Sequence, residues 1–413
     1  MHMVVEFIFW ACLCILFYTY AGYPVLLFLL VKIRETRSAE RSFTNPYFLP
    51  VTLIVTAFNE EKTIEKKIQN SLNLNYPQEL LNLIFITDGS SDSTPQKVSA
   101  YSRITLLHQP ERKGKLAAMN RSVAYVTTPV IVFSDANSFL NADSIKYIAA
   151  HYQDPQVGGV AGEKRIMTNE GLPDPDLADK LLTGEKRILI NEGPVGEGEG
   201  WYWKYESLIK KLDSRLKTTV GAAGELFSIR TALYVPLPEN TIIEDFVQSL
   251  LLCTKGYLVK YEARAYAQEQ ASLTVREEME RKKRIAAGAF QAMGKLKMLF
   301  NVFQYPVISF QFISHRVLRW TLCPPALVLL YISSVVLYAS SDSRFYGVLV
   351  FLQSVFYAAA ATGWFFAWRN RRIRVFYFPF YFVFMNFCVI AGLIRYLNNS
   401  QTVLWKSASR QGG

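Results

Sequence analysis

Long apolar runs at both ends of the chain constrain its fold more than any other feature of the sequence. No charged residue interrupts Phe7 to Val31, a run of about 25 residues where about 20 suffice to cross a bilayer as a helix. Three more runs near the C-terminus are each long enough to span, over about Trp320–Ser341, Phe345–Trp368 and Val375–Ile394. The sequence therefore predicts an integral membrane protein with one N-terminal and three C-terminal transmembrane helices.

Charged residues beside these runs predict the orientation. Glu6 precedes the first run, which is longer than the apolar core of a signal peptide, so an uncleaved anchor is predicted. The positive-inside rule places the basic flank Lys32–Arg37 and the arginine-rich loop 369–374 in the cytoplasm, whereas Asp342 and Arg344 cancel in the loop outside. Both basic clusters leave the middle of the chain in the cytoplasm.

The last run fits this scheme less well. A complete crossing there would leave Arg395, Lys406 and Arg410 outside, against the same rule. The run also contains Pro379 and Asn386. A re-entrant or broken helix is therefore an alternative to a third C-terminal crossing.

Composition favours a membrane protein and excludes other classes. Hydrophobic residues make up 51% of the 413 residues and charged residues only 19%, where soluble domains carry about a quarter charged residues. The net charge of +11 suits nucleic acid, a membrane surface or phosphorylated ligands. No zinc-finger, helix-turn-helix or RNP pattern is present, so no nucleic-acid partner is expected. The five cysteines form neither a disulfide framework nor a metal spacing, which suits a reducing compartment.

These changes in composition divide the chain into five predicted parts. The segment before the second span is aromatic-rich and carries His315, Arg316 and Arg319, which favours an amphipathic segment in the membrane interface. The parts are the N-terminal helix with its basic flank (1–40), a middle domain (45–290), the interface segment (291–319), three transmembrane helices (320–396) and a C-terminal tail (397–413).

In the middle domain, short β-branched runs alternate with amphipathic, charged stretches. Val51–Thr56, Leu83–Thr87 and Val130–Ser134 are candidate buried strands. Their alternation with helices predicts an α/β domain with a mostly parallel sheet, and such sheets bind ligands at the carboxyl ends of their strands. Polar side chains follow these predicted ends: Asn59, Glu60, Asp88, Asp92, Asp135 and Asn137.

Several of these side chains suit phosphate and metal chemistry. Asp135 and Asn137 are two oxygen ligands two positions apart, a spacing that allows both to reach Mg²⁺ or Mn²⁺. An acid at a strand end is more often a turn former, the interpretation that suits Asp92. Lys115 ends a basic segment before a predicted helix, where basic groups and free amides bind phosphate; a solvated turn is the alternative.

Glu244 and Asp245 lie between apolar neighbours later in the domain. Such a setting raises the pKa of an unpaired acid, which could then take a proton from an attacking hydroxyl. Acids favoured by the dipole at a helix N-terminus are the alternative.

Four motifs in order resemble the processive-synthase branch of the family-2 glycosyltransferases, which includes cellulose, chitin, hyaluronan and poly-N-acetylglucosamine synthases. The motifs are Val55–Glu60, Thr87–Asp92, Phe133–Asn137 and Ile243–Phe246, within Pro50–Gly288. The resemblance implies a GT-A (Rossmann-like) domain flanked by membrane spans. It also implies one in-line displacement that inverts an α-linked donor to a β-linked product, without a covalent intermediate.

The same resemblance implies a role for each motif residue. Asp245, next to Glu244, would be the general base. Asp135 and Asn137 would hold Mg²⁺ or Mn²⁺. The nucleotide-sugar would be bound by Ala57, Asn59, Glu60, Asp88, Lys115, Asp135, Arg281 and Arg284.

The chain departs from the family pattern in two places. Asn137 replaces the second metal-site carboxylate, although an amide oxygen still ligates hard cations. Where the processive enzymes carry Gln-x-x-Arg-Trp, this chain reads Arg281–Ile285, so Arg284 keeps the cationic role but Ile285 replaces the acceptor-stacking tryptophan. A second near-match, Arg316–Trp320, is interpreted as interfacial anchoring.

Other segments would then hold the acceptor. Gly221 and Gly224 belong to a small-residue loop that would let an acceptor approach the backbone closely. Trp203 and Tyr205 offer flat faces for a sugar, although packing in a core or interface is the commoner role of such side chains.

The resemblance thus implies a hexosyltransferase, and the apolar runs with their basic flanks predict a cytoplasmic catalytic domain at the inner membrane of a bacterium. UDP-glucose or UDP-N-acetylglucosamine is the family-weighted donor, and the acceptor is a saccharide or a lipid-linked molecule in polysaccharide or glycoconjugate synthesis. A processive synthase that also translocates its polymer is the alternative. A non-enzymatic transport or partner protein is disfavoured, because the spans carry no charges in their interiors and the motif acids are present.

Overall fold

The computed structural model of the chain describes residues 2–37, 47–167, 196–270, 274–341, 343–369, 371 and 373–401. The predictions made for Asp342, Asn370, Arg372, Lys406 and Arg410 lie outside these residues, as do parts of the predicted N-terminal and C-terminal segments.

The N-terminal apolar run forms a long helix. Helices α1 (His2–Phe17) and α2 (Tyr23–Arg37) are joined by a π-helical turn, Tyr18–Gly22, so the three segments form one continuous helix. The stretch His2–Thr36 is long and apolar enough to cross a membrane, as predicted.

Among the residues that the structure describes, one eight-stranded sheet forms the centre of the middle domain. Its strands are β1 (Val51–Ala57), β2 (Leu81–Asp88), β3 (Ile104–Gln109), β4 (Val130–Asp135), β5 (Ser138–Leu140), β6 (Val157–Met167), β7 (Phe227–Arg230) and β8 (Leu258–Gln270). Their spatial order is β3-β2-β1-β4-β7-β6-β8-β5. The first four strands are parallel, as predicted, whereas β7 and β5 run antiparallel to their neighbours, so the sheet is mixed.

The central strands are apolar because both faces of the sheet are covered. In β1, Leu53 and Val55 pack into the core on one face, and Ile54 packs into the core on the other. The parallel register pairs Ala57 with Thr87 and Thr56 with Asp135. The carboxyl ends of β1, β2 and β4 therefore lie at one edge of the sheet.

Seven helices of the described chain accompany the sheet. They are α3 (Ile64–Leu72), α4 (Thr94–Ser99), α5 (Lys115–Val123), α6 (Ser144–His151), α7 (Gly196–Leu216), α8 (Glu244–Thr254) and α9 (Val275–Lys295). Helix α7 packs against α2 through Ile209 and Leu212, which meet Tyr23 and Leu27. The domain is thereby held against the end of the N-terminal helix.

The predicted interface segment contains α10 (Pro306–Phe312), a π-helical turn (Ile313–Val317) and α11 (Leu318–Thr321). The interpretation of its basic residues as interfacial anchors is wrong, because they are buried and face the domain. Arg316 Nη1 lies 2.8 Å from Glu206 Oε2, and Arg319 pairs with the same carboxylate. His315 Nδ1 lies 2.7 Å from Asp213 Oδ2. Pairing with these acids of α7 offsets the cost of burying the charges.

Three long apolar helices follow: α12 (Cys323–Ser341), α13 (Arg344–Trp368) and α14 (Arg374–Leu397). With the N-terminal helix they make four helices in the described chain that are long and apolar enough to cross a membrane. Helix α14 is continuous through Pro379 and Asn386, so a broken helix is not observed.

Helix α14 packs against α9 rather than standing apart from the domain. The ring of Phe290 stacks on Tyr396 with a centroid distance of 6.3 Å, and Arg395 Nη2 lies 2.5 Å from Glu280 Oε2. A Cβ on Gly392 would lie 2.4 Å from the Cβ of Ala286, so the two helices touch closely there.

Candidate active site

The basic loop before α5 closes around Asp88 at the end of β2. Asp88 Oδ2 accepts hydrogen bonds from the backbone N–H groups of Lys113 (2.9 Å) and Gly114 (2.6 Å). Gly114 has φ of 101°, a conformation that glycine adopts without steric cost. The second oxygen of Asp88, Oδ1, is buried and accepts no hydrogen bond within the described chain. One oxygen of this carboxylate thus holds the loop, and the guanidinium of Arg121 approaches the other, with its Nη1 3.9 Å from Oδ1.

The loops that follow β1 and β2 are tied to each other. The N–H of Ser91 donates to Asn59 Oδ1 (2.9 Å), and the N–H of Glu60 donates to Thr94 Oγ1 (2.9 Å). Asp92 accepts from the N–H groups of Glu61 (3.1 Å) and Thr94 (3.0 Å), so it is a turn former. Asn59 and Glu60 therefore lie close to Asp88, and their hydrogen bonds fix the loop after β1 against the loop after β2.

Lys115 connects the end of β4 to the start of α8. Its Nζ lies 2.7 Å from Asp135 Oδ1 and 3.2 Å from Glu244 Oε1. Burial opposes protonation, but these two carboxylates outweigh it and raise the pKa of Lys115 above its usual value. The pKa of Asp135 is raised by burial, which Lys115 partly offsets. These three side chains form a compact, charged group in a water-poor setting.

Asp135 and Asn137 flank the turn between β4 and β5, and both line the same cavity. Within the described chain, no group of three or more His, Cys, Asp or Glu side chains is arranged to hold a metal ion. Mg²⁺ is usually held by one or two carboxylates together with substrate phosphates, so a full protein cage is not required. A carboxylate and an amide oxygen on one turn fit such an ion.

Asp245 is the second residue of α8 and is half-buried in the cavity wall. Burial, reinforced by the neighbouring carboxylate of Glu244, raises the pKa of Asp245 to about 7, and Lys115 opposes the shift. A Cβ on Gly224 would lie 3.6 Å from Asp245 Oδ2 and 3.0 Å from Lys115 Nζ. The absence of a side chain at Gly224 therefore leaves room beside the acid.

Helix α9 brings two arginines to the same place. Arg284 lies near Glu244 and Asp245, whose charges oppose the lowering of its pKa by burial. Arg281 pairs with Glu278 at 2.9 Å (Nε to Oε2). Ile285 lines the cavity and is 36% exposed.

These side chains surround one cavity of about 1310 Å³. The predicted site residues in its wall are Lys115, Asp135, Asn137, Trp203, Gly224, Glu244, Asp245, Arg281 and Arg284. Ala57, Asn59, Glu60 and Asp88 lie at the adjoining strand ends, outside this wall. The structure thus brings nine predicted residues together and places four beside them.

Gly221 and Tyr205 do not line the cavity. A Cβ on Gly221 would lie 2.2 Å from a ring carbon of Phe246, and its φ is 87°, so this glycine permits packing and a turn. The hydroxyl of Tyr205 donates to the carbonyl of Tyr20 in the N-terminal helix (2.8 Å). Phe246 fills the space beside Gly221, and the hydroxyl of Tyr205 is bound to the N-terminal helix. Neither residue is therefore positioned to contact a ligand in the cavity.

Several cavity residues were not predicted from the sequence. Trp320, interpreted as a membrane anchor, packs on Phe246 with a centroid distance of 5.4 Å and lines the cavity. Lys164 is buried between Glu225 and Glu269, and Lys210 also lines the wall. The near-match of Arg316–Trp320 to the Gln-x-x-Arg-Trp motif could have identified Trp320 from the sequence. No sequence pattern distinguished Lys164 or Lys210.

Comparison with known proteins agrees with this geometry. Residues 52–191 match the model of Glycosyl transferase family 2, of which 168–191 lie outside the described chain. The poly-beta-1,6-N-acetyl-D-glucosamine synthase of Staphylococcus aureus (strain COL) is 25% identical over 223 residues, which cover 51% of this chain and 48% of that protein. The protein named "Probable glycosyltransferase YdaM" of Bacillus subtilis (strain 168) is 24% identical over 232 residues, or 53% and 50% of the two chains. The chain spans about half the length of these relatives.

A solved structure shares the fold over nearly the whole chain. It is a mannosyltransferase from Pyrobaculum calidifontis in complex with GDP-Man and Mn²⁺, with a TM-score of 0.67 and 20% identity. The likeness covers 96% of this chain and 99% of that one. The sheet order and this likeness show that the chain has the GT-A fold, and residues 52–191 within it match the model of Glycosyl transferase family 2.

Proposed function

We propose that this protein is an inverting hexosyltransferase that moves a sugar from a nucleotide-sugar to a saccharide or lipid-linked acceptor at a membrane. One observation carries the proposal. Lys115 bridges Asp135 at a strand end and Glu244 at the start of α8, so the groups for the leaving diphosphate lie beside the half-buried acid Asp245. Donor and acceptor chemistry would therefore meet in one cavity.

The donor would bind along the carboxyl edge of the sheet. Asp88 would contact the nucleoside, and Lys115 and Arg284 would approach the diphosphate. Asp135 and Asn137 would hold Mg²⁺ or Mn²⁺, and a divalent ion there would neutralise charge on the leaving diphosphate. The Mn²⁺ in the mannosyltransferase of the same fold supports this class of ion.

The transfer step follows from these positions. The acceptor hydroxyl oxygen attacks the anomeric carbon, and the bond from that carbon to the diphosphate oxygen breaks. The electron pair of the broken bond leaves with the nucleoside diphosphate, where Lys115 and Arg284 stabilise the added charge. The hydroxyl proton passes to the carboxylate of Asp245. A single displacement inverts the configuration at the anomeric carbon.

The donor is proposed to be UDP-N-acetylglucosamine or UDP-glucose. The name of the Staphylococcus aureus relative supports N-acetylglucosamine. The mannosyltransferase with the same fold holds GDP-Man, so both nucleotide bases belong in any assay.

A processive synthase is the second candidate, and the polymer synthase among the relatives favours it. Against it stands Ile285, which lines the cavity where the processive enzymes are expected to carry a tryptophan. The four apolar helices support a membrane location, and the basic flank Lys32–Arg37 supports a cytoplasmic catalytic domain in the inner membrane of a bacterium.

The test uses the purified full chain in detergent with Mg²⁺ or Mn²⁺ and a panel of UDP- and GDP-sugars. Release of nucleoside diphosphate in the presence of saccharide and lipid-linked acceptors identifies the donor, and product sizing separates single transfer from polymerisation. Failure of every donor in the panel, with folded protein, would overturn the proposal.

A further inference from the structure

Lys210 of α7 is a buried ammonium group that the transfer step does not use. The residue is only 5% exposed, and it lines the cavity wall. No carboxylate oxygen within the described chain lies within 4.0 Å of its Nζ. Its neighbour Lys164, by contrast, is paired with Glu225 and Glu269. Burying a cation without a bound anion raises the free energy of the folded protein. A negatively charged ligand in the cavity would therefore be stabilised by Lys210.

Lys210 is one of three lysines whose ammonium groups surround the indole ring of Trp203, and the other two, Lys164 and Lys282, are paired with carboxylates. Its Nζ lies 5.6 Å from the ring centroid of Trp203, and the ammonium groups of Lys164 and Lys282 lie 5.5 and 5.8 Å from the same centroid. Burial, and then the charge of Arg316, lower the pKa of Lys210 to about 8, so it remains mainly protonated at neutral pH. Three ammonium groups around one indole ring leave little of its face for a sugar.

Lys210 belongs to the acceptor side of the cavity. The carboxylates that act on it most strongly are Glu206, Glu225 and Asp245. Its helix packs on the end of the N-terminal membrane helix. The cavity wall also includes Trp320 and, on α14, the apolar side chains Met385, Cys388 and Val389. The wall therefore combines a cationic group with an apolar surface on a membrane-type helix.

We infer that the acceptor is a lipid-linked molecule joined to its lipid through a phosphate, and that Lys210 binds this phosphate while the lipid chain lies along the apolar wall of α14. The inference rests on the proposed function and names the acceptor class within it. An ammonium–phosphate hydrogen bond is charge-assisted, and the interaction is strengthened by the low dielectric of a buried site. The transfer step is unchanged, because Asp245 still receives the proton of the attacking hydroxyl.

The experiment measures binding of a polyprenyl phosphate to the full chain in detergent, with the corresponding polyprenol as the neutral control. The wild-type protein is expected to bind the phosphate about tenfold more tightly than the alcohol or better. Lys210→Met loses this preference, and Lys210→Arg retains most of it. Lys211→Met, which changes the exposed neighbour on the same helix, leaves the preference intact.

Other results would overturn the inference. Equal binding of phosphate and alcohol by the wild-type protein, or an unchanged preference in folded Lys210→Met, would exclude a phosphate contact at Lys210. Displacement of the polyprenyl phosphate by equimolar inorganic phosphate would show a free-anion site without a lipid. A raised KM for the nucleotide-sugar in Lys210→Met, with lipid binding unchanged, would assign Lys210 to the donor. Because binding needs no turnover, these outcomes differ from failure of the transferase proposal, which is inactivity with every donor.

Discussion

Asp245 illustrates how burial and a neighbouring charge act on one side chain. Desolvation disfavours its ionised form, Glu244 adds like-charge repulsion, and Lys115 only partly compensates, so its pKa rises to about 7. A base whose pKa lies near the working pH combines a sizeable ionised fraction with a strong affinity for the proton. The sequence placed this acid between apolar neighbours, and the structure adds the carboxylate and the ammonium beside it.

The rate of transfer should depend on pH through this group. A general base must be ionised to accept a proton, so kcat/KM is expected to rise about tenfold per pH unit below about 7 and to level off above it. The measurement is initial-rate kinetics across this range, with thermal unfolding at each pH to confirm that the protein stays folded. A profile that is flat through pH 7 would show that Asp245 does not carry the proton.

Replacement of Asp245 by Asn should separate chemistry from binding. Asn keeps the shape of the side chain but cannot accept the proton, so Asp245→Asn is expected to lower kcat by about 100-fold or more. Binding of the nucleotide-sugar, measured by calorimetry, should stay within a few-fold of wild type. Glu239→Gln, which changes an exposed acid in the loop before α8, serves as the control and should leave both quantities unchanged. Near-normal turnover in Asp245→Asn would sink the assignment.

At the scale of elements, α9 positions the segment that carries this acid. A Cβ on Gly288 would lie 2.9 Å from Ile242 Cγ2 and 3.0 Å from Ile243 Cγ2, immediately before Glu244 and Asp245. The side chain of Gln291 also accepts a hydrogen bond from the N–H of Ile242 (3.0 Å). Close packing of α9 therefore fixes the entry to α8.

Two glycines of α9 should respond oppositely to alanine. Gly288→Ala forces the β-branched neighbours apart, and the overpacking costs about 1–3 kcal/mol, against a gain of up to about 1 kcal/mol in helix propensity. Gly294→Ala meets only Tyr396 Oη, at 3.9 Å, and so keeps the propensity gain. The midpoint of thermal unfolding should fall for Gly288→Ala, with reduced transfer, and stay level or rise for Gly294→Ala. Equal midpoints would contradict this account of the packing.

Elements whose signals are local could be predicted from the sequence, whereas contacts between distant segments could not. The apolar runs and strands β1, β2 and β4 follow from hydrophobic pattern, and their parallel order gathers Asp88 and Asp135 at one edge. Arg316 and Arg319 look like interfacial anchors because nothing in their own segment shows that Glu206, more than 100 residues earlier, faces them. Lys210 could not be identified from the sequence for the same reason, because the residues that form the cavity around it come from distant segments.

At the scale of the whole molecule, the last apolar helix has an unexpected partner. Helix α9 belongs to the middle domain, because Ala292, near its C-terminal end, and Leu296, which follows it, lie in the same buried core as the sheet residues Ile54 and Ile131. Helix α9 runs beside the C-terminal half of α14, where Val275 and Phe384 share one buried cluster and Phe290 stacks on Tyr396. The C-terminal end of α14 is therefore close to the domain.

This arrangement predicts three membrane crossings instead of four, with α14 lying along the membrane surface. Helix α12 begins on the domain side, directly after Arg319 with its domain partner Glu206, and α13 returns to that side. Helix α14 then starts there and ends with Arg395 paired to Glu280 of α9. Arg395 thus lies on the side of the catalytic domain, which removes the conflict with the positive-inside rule.

The C-terminal end of α14 should consequently be inaccessible from outside the cell. In a cysteine-free background, Ser341→Cys marks the loop after α12 and Ser400→Cys marks the exposed end of α14. A membrane-impermeant thiol reagent should label the Ser341 position in intact cells and the Ser400 position only after permeabilisation. A full fourth crossing would instead expose both positions in intact cells. Since α9 packs along the C-terminal half of α14, such a crossing would also have to draw Glu278, Arg281 and Lys282 of α9 into the bilayer, where charged groups cost several kcal/mol each.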